Sequence, residues 1–177
     1  LGIRSDICKF LPDRWSGSWA GRDVSMRMNP EIRTVDTPNE DDPVYQDALS
    51  VRTAVFVEEQ GVPADLEVDE YESDAIHFVA YDGDEPIGAA RLRQPDETTG
   101  KVERVAVRSA YRERDVGTAL MERLEAVARD RGLETMRLHS QVRAAPFYAR
   151  FGYERVGERF EEAGIPHVEM RKTLAGE

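Results

Sequence analysis

The segment Arg112, Glu113, Arg114, Asp115, Val116, Gly117, Thr118 has the make-up of an anion cradle. It joins an apolar run at 101–107 to an amphipathic run at 116–131, and a helix opening there leaves its first backbone N–H groups without intrahelical acceptors. The helix dipole points the same way, so a phosphate is the first candidate ligand. Three histidines, His77, His139 and His167, are the side chains that titrate nearest neutrality, and each falls in or beside a run that reads as strand. His and carboxylate residues do not stand at metal-ligand spacing, so no metal is expected.

The elements that must position these groups follow from periodicity. A short strand is expected from Glu31, then a helix capped by Asn39 or Asp41 that carries Val44, Ala48, Val51 and Val55 on one face. Gly61 and Pro63 end it, and the acidic stretch 64–75 reads as a surface loop or broken helix. Two strand-like runs flank Asp82-Gly83-Asp84-Glu85, a strong hairpin signal, and the run 101–107 makes a third strand of an antiparallel meander. The helix 116–131 shows Leu120, Leu124, Val127 and Ala128 at helical spacing before Gly132. A buried strand (134–140), a short helix (144–152) and two closing strands complete the chain.

Composition narrows the function. With 177 residues there is room for one ordinary domain. The net charge of −11, from 24 basic and 35 acidic residues, argues against nucleic acid or an anionic membrane as partner and fits a small cationic substrate better. The one cysteine, Cys8, excludes an intramolecular disulfide and a cysteine-based zinc site, and a reducing cytoplasm is the expected location. No apolar run approaches the roughly 20 residues needed to cross a bilayer, and the first residues do not read as a secretory signal. Residues 1–29, which hold Cys8, Trp15 and Trp19 without periodicity, are expected to be a poorly ordered extension before a single domain at 30–177.

Longer patterns sharpen this. Arg112 and Gly117 match the ends of a phosphate-loop pattern, Q/R-x-x-G-x-G/A, with Asp115 where its first glycine is usual. Residues 141–153, QVRAAPFYARFGY, match N-x-x-A-x-x-F/L-Y-x-x-x-G-F at Ala144, Phe147, Tyr148 and Gly152; Gln141 replaces the asparagine and Tyr153 the phenylalanine. On these segments, and on the blocks VFVEEQGVP (55–63) and EEAGIPHVEM (161–170), the chain resembles the GCN5-related N-acetyltransferase (GNAT) family over about residues 31–174, in its ElaA/YjcF-like branch.

The resemblance implies an α+β layered fold: a mixed, mostly antiparallel sheet of six to seven strands with about four helices and splayed central strands. It implies acetyl-CoA as co-substrate, its pyrophosphate on the N–H groups of Glu113, Arg114, Asp115, Val116, Gly117 and Thr118 with help from Arg112 or Arg114. The pantetheine would pair with the main chain of Val105, Ala106 and Val107 as an added strand, near Gln141, Phe147 and Tyr148. Tyr148 is then the candidate general acid. Glu103 is the expected base, placed by strand alternation on the same face as Val105, with His77 and His139 behind it as titratable alternatives. His77 and His167 are candidates for the acceptor site. The acceptor is expected to be a primary amine of a small molecule or peptide, and a homodimer is compatible with this reading. A non-catalytic acyl-CoA-binding sensor is the competing reading, but it predicts loss of the acid and the base, and Tyr148 and Glu103 are present. A P-loop nucleotide-binding domain is excluded because no G-x-x-x-x-G-K-[ST] occurs.

Overall fold

The computed structural model describes residues 28–174, so Cys8, Trp15, Trp19 and most of the extension expected at 1–29 lie outside the described residues. Among the described residues seven strands form one sheet: β1 (Glu31–Asp36), β2 (Ile76–Asp82), β3 (Glu85–Arg93), β4 (Thr99–Val107), β5 (Thr135–Gln141), β6 (Glu154–Glu162) and β7 (Ile165–Thr173). Their spatial order is β1-β2-β3-β4-β5-β7-β6. Every neighbouring pair is antiparallel except β4 and β5, which run parallel. Four α-helices accompany it, α1 (Pro43–Arg52), α2 (Ala64–Glu67), α3 (Val116–Asp130) and α4 (Ala145–Ala149), and α1 continues as a π-helical segment, Thr53–Glu59.

Helix α1 starts one residue later than expected. The Asp42 carboxylate accepts from the N–H groups of Val44 (2.9 Å) and Tyr45 (3.3 Å), with Pro43 at the first helical position. The Asn39 side chain accepts from the Asp41 N–H instead, at 3.0 Å, and so shapes the turn before the cap.

The sheet separates two interiors. On one face Leu120, Met121, Leu124 and Ala128 of α3 pack with Phe78, Ala90, Leu92, Val102, Val105 and Val107, and α4 adds Phe147 and Tyr148. A fully buried side chain of this size contributes about 1.5–3 kcal/mol. α3 lies so close to β3 that a Cβ on Gly88 would meet Val116 Cγ1 at 2.9 Å. On the other face α1 and its π-helical continuation cover Val79, Tyr81, Ala89 and Ala106 with Ala48, Val51, Val55 and Phe56.

Two irregularities in β4 shape everything that follows. First, Ala89 pairs with Ala106 but Arg91 pairs with Glu103, so β4 carries one extra residue, and Arg104 takes a positive φ of 55°. This bulge interrupts the alternation. Glu103 therefore lies on the α1 face with its partner Arg91, whereas Val105 belongs to the α3 side, and the expectation that the two share a face is corrected. Second, β4 and β5 pair only from Thr99 with Thr135 to Val102 with Leu138. Beyond that rung the strands part.

Candidate active site

The parting of β4 and β5 leaves the β5-side edge of 103–107 without a strand partner among the described residues. That edge leads through a short turn to the start of α3. There Glu113 (φ 63°) and Asp115 (φ 62°) are left-handed, and Asp115 occupies the N-cap position without capping the helix by its side chain. A left-handed residue followed by right-handed ones, as Asp115 is by the opening residues of α3, curls successive N–H groups into a concave nest for an anion. The N–H groups of Val116, Gly117 and Thr118 open α3 at the same point. Asp115 stands where the phosphate-loop pattern has glycine because the backbone there is left-handed, a conformation that aspartate tolerates better than most residues.

The two arginines of the loop part company. Arg112 donates from Nε to the Val107 carbonyl (3.0 Å) and grips both oxygens of Glu59 at 2.5 and 2.6 Å, so it ties the π-helical segment to the end of β4. Arg114 is exposed beside the Tyr111 ring.

On the α3 side, the 3-10 turn Val142–Ala144 and α4 follow the end of β5. Tyr148 is fully buried, edge-to-face with Phe147 (5.0 Å between centroids) and Tyr153 (6.2 Å). Gln141, at the last position of β5, accepts from Arg143 Nε at 2.8 Å, and its Nε2 is buried without a partner among the described residues. Gln141, Val142, Arg143, Arg159, Ile165 and Pro166 line a cleft of about 520 Å³.

The α1 side holds a buried ionic cluster. Arg52 binds Glu67 (2.6 Å) and Glu72 (2.8 Å); Arg91 binds Asp69 (2.8 Å), Glu72 (2.7 Å) and Glu103 (2.5 Å); Arg104 reaches Asp69 at 3.2 Å. Arg52, Glu67, Arg91, Glu103 and Arg104 are all 2 % exposed or less. Burial works against the charge of Glu72, yet hydrogen bonds from Arg52 and the charges of Arg52 and Arg91 hold its carboxyl down at about 2. The acidic stretch 64–75 is thus only partly a surface: Glu67, Asp69 and Glu72 fold inward onto arginines.

Glu103, the expected base, is fully buried among cations. One oxygen belongs to Arg91, and the other is shared by Arg93 (3.3 Å) and Lys101 (3.4 Å). These three cationic partners come from β3 and β4, so Glu103 ties the two strands together. His77, a candidate for the acceptor site, lies beside the ionic cluster, 3.8 Å from the Glu72 carboxylate. It is fully buried, its Nε2–H donates to the Glu72 carbonyl at 2.9 Å, and burial pushes its pKa down to about 4.

His139 and His167 share the α1 face with Glu103. His139 follows Leu138 at the rung where the strands part. It is 21 % exposed and stands 3.7 Å from Glu162 and 3.8 Å from Glu169. His167, paired with Gln141 across β5 and β7, is fully buried; the Ile165 carbonyl accepts from its Nδ1 at 2.7 Å, and Nε2 lies 3.7 Å from Glu162. Sequence reading missed Glu162 and the arginines 52, 91 and 104. The available signal was Arg91, a charged residue set directly among Ala89, Ala90 and Leu92 in β3.

Residues 39–174 match the family described as "Acetyltransferase (GNAT) domain". YjcF of Bacillus subtilis, an uncharacterized N-acetyltransferase, is 45 % identical over 128 residues, 72 % of this chain and 91 % of YjcF. The crystal structure of Escherichia coli ElaA superposes with a TM-score of 0.73 at 28 % identity, covering 81 % of this chain and 99 % of ElaA. An aminoglycoside 6′-N-acetyltransferase complexed with coenzyme A shares the fold at a TM-score of 0.60 and 19 % identity, covering 82 % of this chain and 98 % of that one. The chain belongs to the GNAT family and is an acyltransferase, with relatives in YjcF and ElaA.

Proposed function

We propose that the chain transfers an acetyl group from acetyl-CoA to a primary amine by direct attack within a ternary complex. The observation that carries this is the continuity of the open β4 edge with the left-handed nest at Glu113 and Asp115. An extended, amide-bearing chain ending in a pyrophosphate fits that path: its amides would pair with the main chain of 105–107, and its phosphates would meet the N–H groups of 113–118 with Arg114 alongside. Bound there, the thioester supplies an acyl carbon open to attack and a sulfur that leaves.

The chain's own groups then manage protons. An ammonium ion carries no lone pair, so a base must first take a proton from the amine. His139 is the group we assign, since it stands at the rung where β4 and β5 part and is partly exposed, between Glu162 and Glu169. Glu103 acts as a positioning residue through Arg91, Arg93 and Lys101. Tyr148 donates its phenolic proton to the departing sulfur.

Calorimetry with coenzyme A and with pantetheine tests the cradle. Coenzyme A is expected to bind more than roughly tenfold tighter, the worth of 1.4 kcal/mol. Equal affinities would remove the phosphate reading of 112–118.

A further inference from the structure

One row of the sheet carries more positive charge than holding Glu103 requires. Arg93 pairs with Lys101, Lys101 with Arg137, and Arg137 with Arg171, so four cations from four adjacent strands share one row on the α1 face. Like charges directly opposite one another destabilise a sheet. In a chain of net charge −11 with only three lysines, such a row is a local exception. Arg93 and Lys101 share an oxygen of Glu103, and Arg171 holds Glu169 at 2.5 Å. Arg137, in the middle of the row, forms no ion pair among the described residues, and its Nε–H is buried without an acceptor. A buried donor left so is costly, and an anionic oxygen would satisfy it.

The position ties this row to the reaction. Lys101 and Arg137 form the rung next to the last one before β4 and β5 part. His139 lies two residues further on the same face of β5, roughly 7 Å along the strand. The carboxylates that could have drawn a cation, Glu67, Asp69 and Glu72, are held by Arg52, Arg91 and Arg104.

We infer that the row Arg93, Lys101, Arg137, Arg171 is a subsite for an anionic group of the acceptor, a carboxylate or a phosphate, with the acceptor's amine directed at His139. This rests on the acyl-transfer reading above. It reverses the sign expected from net charge alone, because charge over the whole chain says little about charge along one row.

The test uses the full chain with β-alanine beside propylamine, and O-phosphoethanolamine beside ethanolamine. Two quantities are read: the NMR signal of the Arg137 Nε–H, assigned by its loss in Arg137→Gln and in Arg137→Lys, and kcat/KM for acetylation. An anionic amine should move the Arg137 signal saturably, its neutral counterpart should not, and kcat/KM should favour the anionic member by at least roughly tenfold. Arg137→Gln should lower that ratio, and Arg137→Lys, which keeps the charge, should lower it less. A response to β-alanine alone assigns a carboxylate, and one to O-phosphoethanolamine alone assigns a phosphate. If neither anionic amine moves the signal, or if charged and neutral amines share the same kcat/KM, the subsite is wrong while acyl transfer stands. If the anionic amines bind at Arg137 but no amine is acetylated, the subsite stands and the acyl-transfer reading fails.

Discussion

The two faces of the sheet are built on opposite principles. The α3 side is mainly apolar: Leu120, Met121 and Leu124 meet Phe78, Val102, Val105 and Leu138, and the buried Glu125 is paired with Lys172 at 2.7 Å. The α1 side begins apolar near Val51, Phe56 and Val79, then gives way to Arg52, Glu67, Glu72, Arg91, Glu103 and Arg104, all buried. Hydrophobic burial is tolerant of shape and carries most of the stability. A buried ionic cluster adds little net stability, because desolvation offsets attraction, but it penalises any arrangement that leaves a charge unpaired. The bulge at Arg104 and the inward fold of 64–75 need that kind of constraint, since neither is dictated by backbone preference. The face that carries His139, the proposed base, is thus held by interactions that specify geometry.

Arg91→Met should break this contrast most severely. It leaves Asp69, Glu72 and Glu103 without their shared cation. Chemical denaturation should show a loss of about 3–5 kcal/mol, the usual effect of removing one partner of a buried pair. A loss below about 1 kcal/mol would mean that the cluster is solvated and dispensable.

Acid should act on the same face next. His77 is held at about 4 by burial, against an ordinary 6.5, and Glu72 at about 2 by its arginines, against 4.5. In both cases the unfolded chain binds a proton at a pH where the folded chain does not. Stability is therefore full above pH 6.5 and falls with acid, first through the His77 window from 6.5 to 4 and then through the Glu72 window from 4.5 to 2. His77 alone accounts for about 3 kcal/mol by pH 4. Replacing His77 with Asn should flatten the upper part of the profile, and an unchanged slope between pH 6.5 and 4 would show that another group titrates there.

The smallest effect is expected at the entrance to α3. Asp115→Gly relieves a left-handed residue, worth about 1 kcal/mol, and removes a negative charge beside the nest. Thermal unfolding should rise slightly, and coenzyme A should bind at least as tightly. Weaker binding would show that the Asp115 carboxylate orders the loop.

What was legible in the sequence divides along the same line. Helical spacing marked Leu120, Leu124 and Ala128, and the Asp-Gly turn marked the β2–β3 hairpin, because apolar periodicity and turn chemistry are local. The motif 112–118 and the pattern 141–153 are the basis of the proposed cradle and of Tyr148 as the proposed acid. The side on which Glu103 lies was not legible, since one inserted residue at Arg104 reverses the alternation and nothing local announces it. Nor was the cluster, whose partners lie as far apart in sequence as Glu67 and Arg104. The row of Arg93, Lys101, Arg137 and Arg171 exists only through strand register.

The central claim is that the chain transfers acetyl with Tyr148 as the proton donor, and Tyr148→Phe tests it most directly. The change keeps the ring packed against Phe147 and Tyr153 and removes only the hydroxyl. Calorimetric affinity for coenzyme A should stay within about twofold, while kcat for amine acetylation falls by about 10²- to 10⁴-fold, the usual contribution of one positioned acid. Unchanged kcat with a good acceptor would reduce Tyr148 to packing and contradict the account.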